Sequence, residues 1–453
     1  MEGTVNKHPW LGIATAAAIA LGLTAAGCSG GAGGGGNAGG TTGTTAADGA
    51  KPIATSACEP IYYRGSGTPN YVIASDLPLQ GSGQGQTTQM GAAIRYVLAK
   101  RHFRAGTFTI GYQECDDSTA EAGTYAPARC TANARAYART RSLIGLIGTY
   151  NSPCAQLVIP IVNRAAGGPI PMISPANVRV GLTHSGFGSD PDEPGKYYPT
   201  GKRNYVRIVA TDEFQGASDG LMFQKLGVEK VFLLNDQESY GVGIAHNVER
   251  VLRALGIQIA GRAAWNAKAS SYDALARRIE SSDADGVFLG GLVENNGGRL
   301  IKDLRSVLGS KVAIVAPDGF MPVSAVIAGG GRAANGVIVS VAGTFNSRLG
   351  AKGKAFVQHF GATQSARVEP YTLYAAQAAE ILLDAIAHSD GSRAQVIDNL
   401  FATKVTNGIL GTFAINANGD IDKPTYAFYK VVDGRRTDFA VIQAPQSLAN
   451  KER

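Results

Sequence analysis

The chain has 453 residues and a formal net charge of +7 at pH 7, from 42 Lys and Arg against 35 Asp and Glu. The basic residues are scattered, with no Lys/Arg block and no aromatic–basic stripe, which excludes a nucleic-acid-binding face. Charged residues make up only 17% and the single long apolar run is N-terminal, so the body of the chain reads as a water-facing domain and not as a set of membrane spans.

The N-terminus comes first in chain order. Lys7, the apolar stretch Leu11 to Thr24 and the small residues Ala25-Ala26-Gly27 before Cys28 have the layout of a secretory signal peptide. The run is shorter than the roughly 18–20 residues a span requires. A Cys directly after the small pair resembles the bacterial lipobox, which predicts a signal peptide over 1–27 and a lipidated N-terminus at Cys28. A plain signal peptide is the alternative. Residues 28–50 are then a Gly-, Ala- and Thr-rich tether with Asp48 its only charge. By composition it holds its cargo roughly 25 Å from the anchor.

From Tyr71 onward short apolar strands alternate with amphipathic helices. Strands are expected at Tyr71–Ser75, Phe108–Tyr112, Leu143–Gly148 and around Pro171–Ser174, with helices over Thr87–Lys100, Tyr125–Arg139 and after Pro153. The pattern restarts with strands at Val206–Val209, Val231–Leu234, Ile257–Trp265, Val287–Leu289 and Val312–Val315. Helices are expected over Phe214–Leu226 and Gly243–Leu255, from Tyr272 and around Leu300. Such alternation means parallel sheets with right-handed crossovers, and two runs of it predict an α/β fold of two doubly wound, Rossmann-like lobes. Ligands in such sheets sit beyond the carboxyl ends of the strands. Polar and small residues gather there: Asp76 to Gly85, Gly148 to Cys154, Ser174 to Asn177, Asn235 to Gly241, Gly290 to Asn296 and Pro317 to Phe320.

These loops, with Asp212-x-x-Gln215-Gly216, Ser239-Tyr240-Gly241 and Asn416-x-Asn418-Gly419-Asp420 in order, resemble the type I periplasmic binding proteins of the leucine/isoleucine/valine-binding branch. The resemblance implies two lobes joined by three hinge crossings that close on a solute for an ABC importer. It divides the chain into lobe 1 at 51–208, lobe 2 at 209–340, a second part of lobe 1 at 341–412 and a C-terminal crossing and hairpin at 413–453. It implies ligand contacts at Asn151, Ser152, Ser174, Ala176, Asn177, Val178, Tyr240, Leu292 and Asp318. Ser152 would hold a carboxylate and Asp318 an ammonium. Val178 and Leu292 replace a Thr and a Tyr of the amino-acid binders, which puts a standard branched-chain ligand in doubt. Ser152 also reads as a helix cap and Asp318-Gly319 as a turn.

Four cysteines remain beyond Cys28: Cys58, Cys115, Cys130 and Cys154, an even number suited to disulfides in an oxidising space and open to three pairings. The resemblance favours Cys115–Cys154, leaving Cys58 with Cys130. The six isolated His residues and the lack of CxxC give no zinc motif, so no metal and no cofactor are expected. Gly216-Ala-Ser218-Asp-Gly220 matches the nucleophile elbow GxSxG, but Ser218 falls within a helix rather than at a strand end, so no enzyme is expected. The partners implied are a small-molecule ligand, a permease in the cytoplasmic membrane and membrane lipid through Cys28, with the protein a monomer outside that membrane. A ligand-sensing lipoprotein is the alternative. The loop Gly186 to Asn204, rich in Pro, Gly and charge, reads as irregular and solvated: a cleft cover, a permease contact or an insertion.

Overall fold

Parallel strands covered on both faces need apolar side chains on both, and the first strand supplies them. In the computed structural model, which describes residues 49–422 and 424–449, every residue of β1 (Tyr71–Leu77) after Tyr71 is buried. The expected signal peptide, lipidation site and most of the tether lie outside the described residues. Ala50, at the tether's end, is buried and its N–H donates to Pro69.

The first sheet is built from β1, β2 (Arg104–Ala105), β3 (Phe108–Asp116), β4 (Leu143–Gly148), β5 (Met172–Ser174) and β6 (Tyr205–Arg207). Its order is β2-β3-β1-β4-β5-β6, parallel throughout except for the short β2. The crossovers are α1 (Gln84–Lys100), which buries Met90, Ile94, Val97 and Leu98, then α2 (Pro127–Arg139) and α3 (Ser152–Asn163). The expected helix from Tyr125 starts two residues later, at Pro127, because Tyr125 bridges to Ser118 instead.

The chain then leaves this sheet. After β6 come α4 (Asp212–Lys225), β7 (Lys230–Asn235), α5 (Ser239–Ala254), β8 (Gln258–Ala264), α6 (Asp273–Glu280), β9 (Gly286–Gly290), α7 (Gly297–Leu308), β10 (Ala313–Ala316), α8 (Val323–Gly330) and β11 (Ile338–Ala342). It returns for α9 (Ala351–Gly361), α10 (Pro370–Ala387), packed along α1, and α11 (Arg393–Phe401). A ribbon of β12 (Lys404–Gly408) and β13 (Gly411–Ala414) precedes β14 (Tyr426–Val432), β15 (Arg435–Ile442) and α12 (Gln446–Ala449). The second sheet runs β15-β14-β11-β10-β9-β7-β8, with β14 and β15 antiparallel at its edge. Asp433 and Gly434, at φ 50° and 70°, make the two-residue turn between them.

In both sheets the strand order reverses beside the first strand of the set, at β1/β4 and at β7/β9, and crevices open at such switch points. A buried knot at the crossings fixes the lobes' base. Arg207 of β6 is fully buried, donates to Asp420 at 2.6 Å, and caps the carbonyls of Asn177 and Arg179 at 3.1 and 2.7 Å. Asp420 ends the late turn in which Asn416 Oδ1 accepts from Asn418 and Asp420. Gly419 is required there: its φ is 92° and a Cβ would stand 2.8 Å from the Tyr205 carbonyl.

The disulfides are Cys58–Cys115 and Cys130–Cys154, which corrects the expected Cys115–Cys154 and Cys58–Cys130. The reason is strand order. β1 lies between β3 and β4, so Cys115 and the start of α3 are two strand spacings apart, about 9–10 Å, beyond disulfide reach. Cys58 instead bridges antiparallel to Cys115, with Cα atoms 3.9 Å apart, and Cys130 on α2 faces Cys154 on α3 at 5.6 Å.

The loop 186–204 is irregular but not solvated throughout, a second correction. Glu193 is buried and pairs with Arg179 at 3.0 Å, while Tyr197 and Tyr198 are buried and Tyr197 donates to Glu193. From the second lobe Asn247 donates to the Phe187 carbonyl at 3.1 Å.

Candidate functional site

A small cavity lies where the strand-end loops of both sheets meet. From the first sheet come Tyr150, Asn151, Ser152 and Pro153 at the β4–α3 turn, with Ala176 and Val178 after β5. From the second come Tyr240 at the start of α5, Leu292 after β9, and Asp318 and Gly319 after β10. Tyr371, in the first turn of α10, closes it. Its volume is about 20 Å³, space for about one water, so an amino-acid-sized ligand requires the walls to part.

The first-sheet end favours an anion. Asn151 is the N-cap of the twelve-residue α3 and makes no side-chain cap bond, so the free N–H groups of that helix are left to other acceptors. Ser152 does not cap the helix either: it is the first helical residue, and its hydroxyl accepts weakly from the Arg179 N–H at 3.4 Å. Val178 anchors the next loop through its carbonyl, which accepts from Asp212 at 2.8 Å.

The opposite end is acidic. Asp318 is 5% exposed, and its carboxylate accepts from Tyr240 at 2.5 Å and from Tyr371. Burial raises its pKa, against the lowering effect of the hydroxyls of Tyr240 and Tyr371 and of Gln215. A cation arriving beside it would restore the charged form. Gly319 lets the loop close, since a Cβ there would meet the Gly291 carbonyl at 2.3 Å. Leu292 forms an apolar wall, its N–H held by Asp236 at 2.9 Å.

Of the nine residues expected at the site, seven line the cavity: Asn151, Ser152, Ala176, Val178, Tyr240, Leu292 and Asp318. Ser174 and Asn177 do not. Ser174 is spent bracing its own loop, donating to the Thr149 carbonyl and accepting from the N–H groups of Ala176 and Asn177. Asn177 donates to the Tyr150 carbonyl at 2.9 Å and accepts from Tyr205. Tyr150 and Tyr371 escaped the sequence reading. Tyr150 stands beside Asn151 in a strand-end loop and carried the same positional signal. Tyr371 sits in a helix that is buried nearly all round and carried none. Ser218 lies within α4, fully buried, and its hydroxyl donates to the Phe214 carbonyl, so it has no elbow geometry.

Residues 77–436 match the model of the family described as periplasmic binding protein. The chain belongs to that family. A Pseudomonas aeruginosa relative named "Amino acid binding protein" is 25% identical over 51% of this chain, a match spanning 61% of the relative. A leucine-binding protein of Thermotoga maritima superposes with a TM-score of 0.72 at 20% identity, covering 82% of this chain and 99% of its own. A solute-binding protein of an R. palustris ABC transporter, in complex with benzoate, superposes with a TM-score of 0.67 at 17% identity, covering 82% and 96%. The fold is therefore a two-lobed binding-protein fold shared by chains with different ligands, and this chain's ligand has to be argued from its own cavity.

Proposed function

We propose that this protein is the solute-receiving component of an ABC importer, tethered outside the cytoplasmic membrane by lipid on Cys28, and that it traps an amino acid or related amine between its lobes. What supports the ligand class is one arrangement: Asp318, a buried carboxylate with no cationic partner among the described residues, faces across a small cavity an uncapped helix N-terminus beside Ser152. A zwitterion satisfies both ends, its carboxylate at α3 and its ammonium on Asp318, and charge-assisted hydrogen bonds in a closed cleft are strong. Ala176, Val178 and Leu292 supply the apolar walls such a site needs. No bond is made or broken. Closure itself is the signal, because a permease that binds the closed form better shifts the population toward it.

A thermal-shift screen of amino acids, amides and organic acids tests the ligand class. A true ligand at 100 times its Kd adds about 2.7 kcal/mol of stability. Shifts from neutral sugars or aromatic acids, with none from any amine, would overturn the reading. The anchor is tested separately: Cys28→Ala releases the protein from the membrane fraction and leaves ligand affinity unchanged.

A further inference from the structure

Basic residues that lie scattered in the sequence are gathered by the strand order of the first sheet. Its parallel strands all start at one end, and the helices that lead into them finish there. At that end, opposite the cleft, stand Arg104 on β2, Lys51 against Ser142, Arg139 and Arg141 before β4, Arg164 before β5 and Lys202 before β6. All six are exposed. Arg104 belongs there because β2 pairs it with Thr109, at the start of β3.

Contacts tie these residues into one face. The Lys51 N–H donates to the Ser142 hydroxyl at 3.2 Å, and that hydroxyl donates to the Lys51 carbonyl at 2.9 Å. Buried Arg393 donates to the carbonyls of Thr140, Leu143, Ala166 and Gly168 at 2.7, 2.9, 3.1 and 3.0 Å. It thereby holds together the two loops that carry Arg141 and Arg164. Asn163, next to Arg164, donates to the Lys202 carbonyl at 2.8 Å.

The charge on this face is not cancelled. Among the described residues none of the six cations forms an ion pair. No Asp or Glu occurs between Glu121 and Asp190. Two acids stand at the same end, but Asp384 is engaged by Arg101 at 2.7 Å and Asp390 accepts from the Ser392 N–H at 2.8 Å. The guanidinium of Arg393 is pushed down to about 10, first by burial and then by the charge of Arg141. Cations favour helix C-termini in general. The corresponding end of the second sheet is nonetheless mixed, with Glu229, Asp283 and Asp285 among Lys225, Lys230 and Lys311.

Two features say what this face meets. From β2 to β6 it spans five strand spacings, about 24 Å, far wider than one small anion. The segment leading from Cys28 also joins the lobe here: Ala50 is buried, and its N–H donates to the Pro69 carbonyl at 2.8 Å. We infer that this end of the first lobe is a membrane-facing surface that rests on anionic phospholipid headgroups. The inference rests on the reading of Cys28 as the anchor. Such attraction acts over about 8 Å at physiological salt, so it orients a tethered lobe and does not replace the tether.

The test is co-sedimentation of the full chain carrying Cys28→Ala with vesicles of phosphatidylcholine, alone or mixed with an equal part of phosphatidylglycerol. Binding to the anionic vesicles should be at least tenfold tighter than to the neutral ones and should vanish in high salt. The triple variant Arg139→Gln, Arg141→Gln, Arg164→Gln should lose at least tenfold of that affinity, and Lys at the same three positions should restore it. The control Lys225→Gln, Lys230→Gln, Lys311→Gln changes the net charge equally on the second lobe and should stay within about twofold of the parent. Equal binding to both vesicles, or equal losses in the two triple variants, overturns the inference. Binding to soluble polyphosphate without binding to the anionic vesicles overturns it as well. None of these results touches the anchor, which fails separately if the natural protein leaves the membrane fraction in a high-salt wash.

Discussion

The phenol of Tyr371, on a helix packed against α1 of the first lobe, donates to the carboxylate of Asp318, presented by the second sheet. Tyr240 donates to the other oxygen from the second lobe itself, at 2.5 Å. The acid at the floor of the cavity is thus also a direct tie between lobes.

Removing only the Tyr371 hydroxyl should loosen that tie. Tyr371→Phe should lower stability by about 1–2 kcal/mol in urea unfolding, the net worth of one such hydrogen bond. It should also raise the radius of gyration in solution scattering, because the open form gains population. An unchanged radius and unfolding midpoint would mean that this bond does not tie the lobes.

The hinge carries its own pH dependence. His184 accepts or donates at both ring nitrogens, to Asp420 and to Glu213, each at 3.0 Å. Burial would lower its pKa, but the bonds to Asp420 and Glu213 prevail and hold it at about 9. A folded pKa above the ordinary 6.5 means the folded state binds the proton more tightly. The stabilisation is then full below about pH 6.5 and is lost as pH rises through about 9. Its size is about 2–3 kcal/mol once screening at the exposed ring edge is counted. Urea midpoints of the natural protein and His184→Gln should therefore converge between pH 6.5 and 9.5. Parallel pH profiles for the two would remove His184 from the hinge.

The cysteine pairing has a direct chemical check. Non-reducing digestion followed by mass spectrometry should yield linked peptides Cys58–Cys115 and Cys130–Cys154. Cys130→Ser with Cys154→Ser should cost about 3 kcal/mol, as expected for closing a loop of this length. A Cys115–Cys154 peptide would contradict the strand order of the first sheet.

How far the sequence carried the reading differs by element. The strands from Tyr71 to Ala316 were legible because each is a short apolar run between helices that bury one stripe. Asp318 and Tyr240 were legible as cavity-lining positions because the family resemblance singled them out within strand-end loops, where Asp318-Gly319 also reads as a turn. Ser174 and Asn177 stand in the same kind of loop yet outside the cavity lining, where their hydroxyl and amide brace their own turn. The disulfide pairing was hidden because it depends on strand order, which no local pattern carries. Tyr371 was hidden for a related reason: it meets Asp318 from 53 residues away, out of a helix whose apolar sequence reads as core all round.

The central claim is that a buried carboxylate in the interlobe cavity anchors an amine, and Asp318→Asn tests it with the shape kept and the charge removed. Calorimetric titration of this variant and the natural protein with the tightest-binding amine from the screen should show affinity reduced by about 2–5 kcal/mol. Equal affinities in the two proteins would place the amine elsewhere and contradict the account.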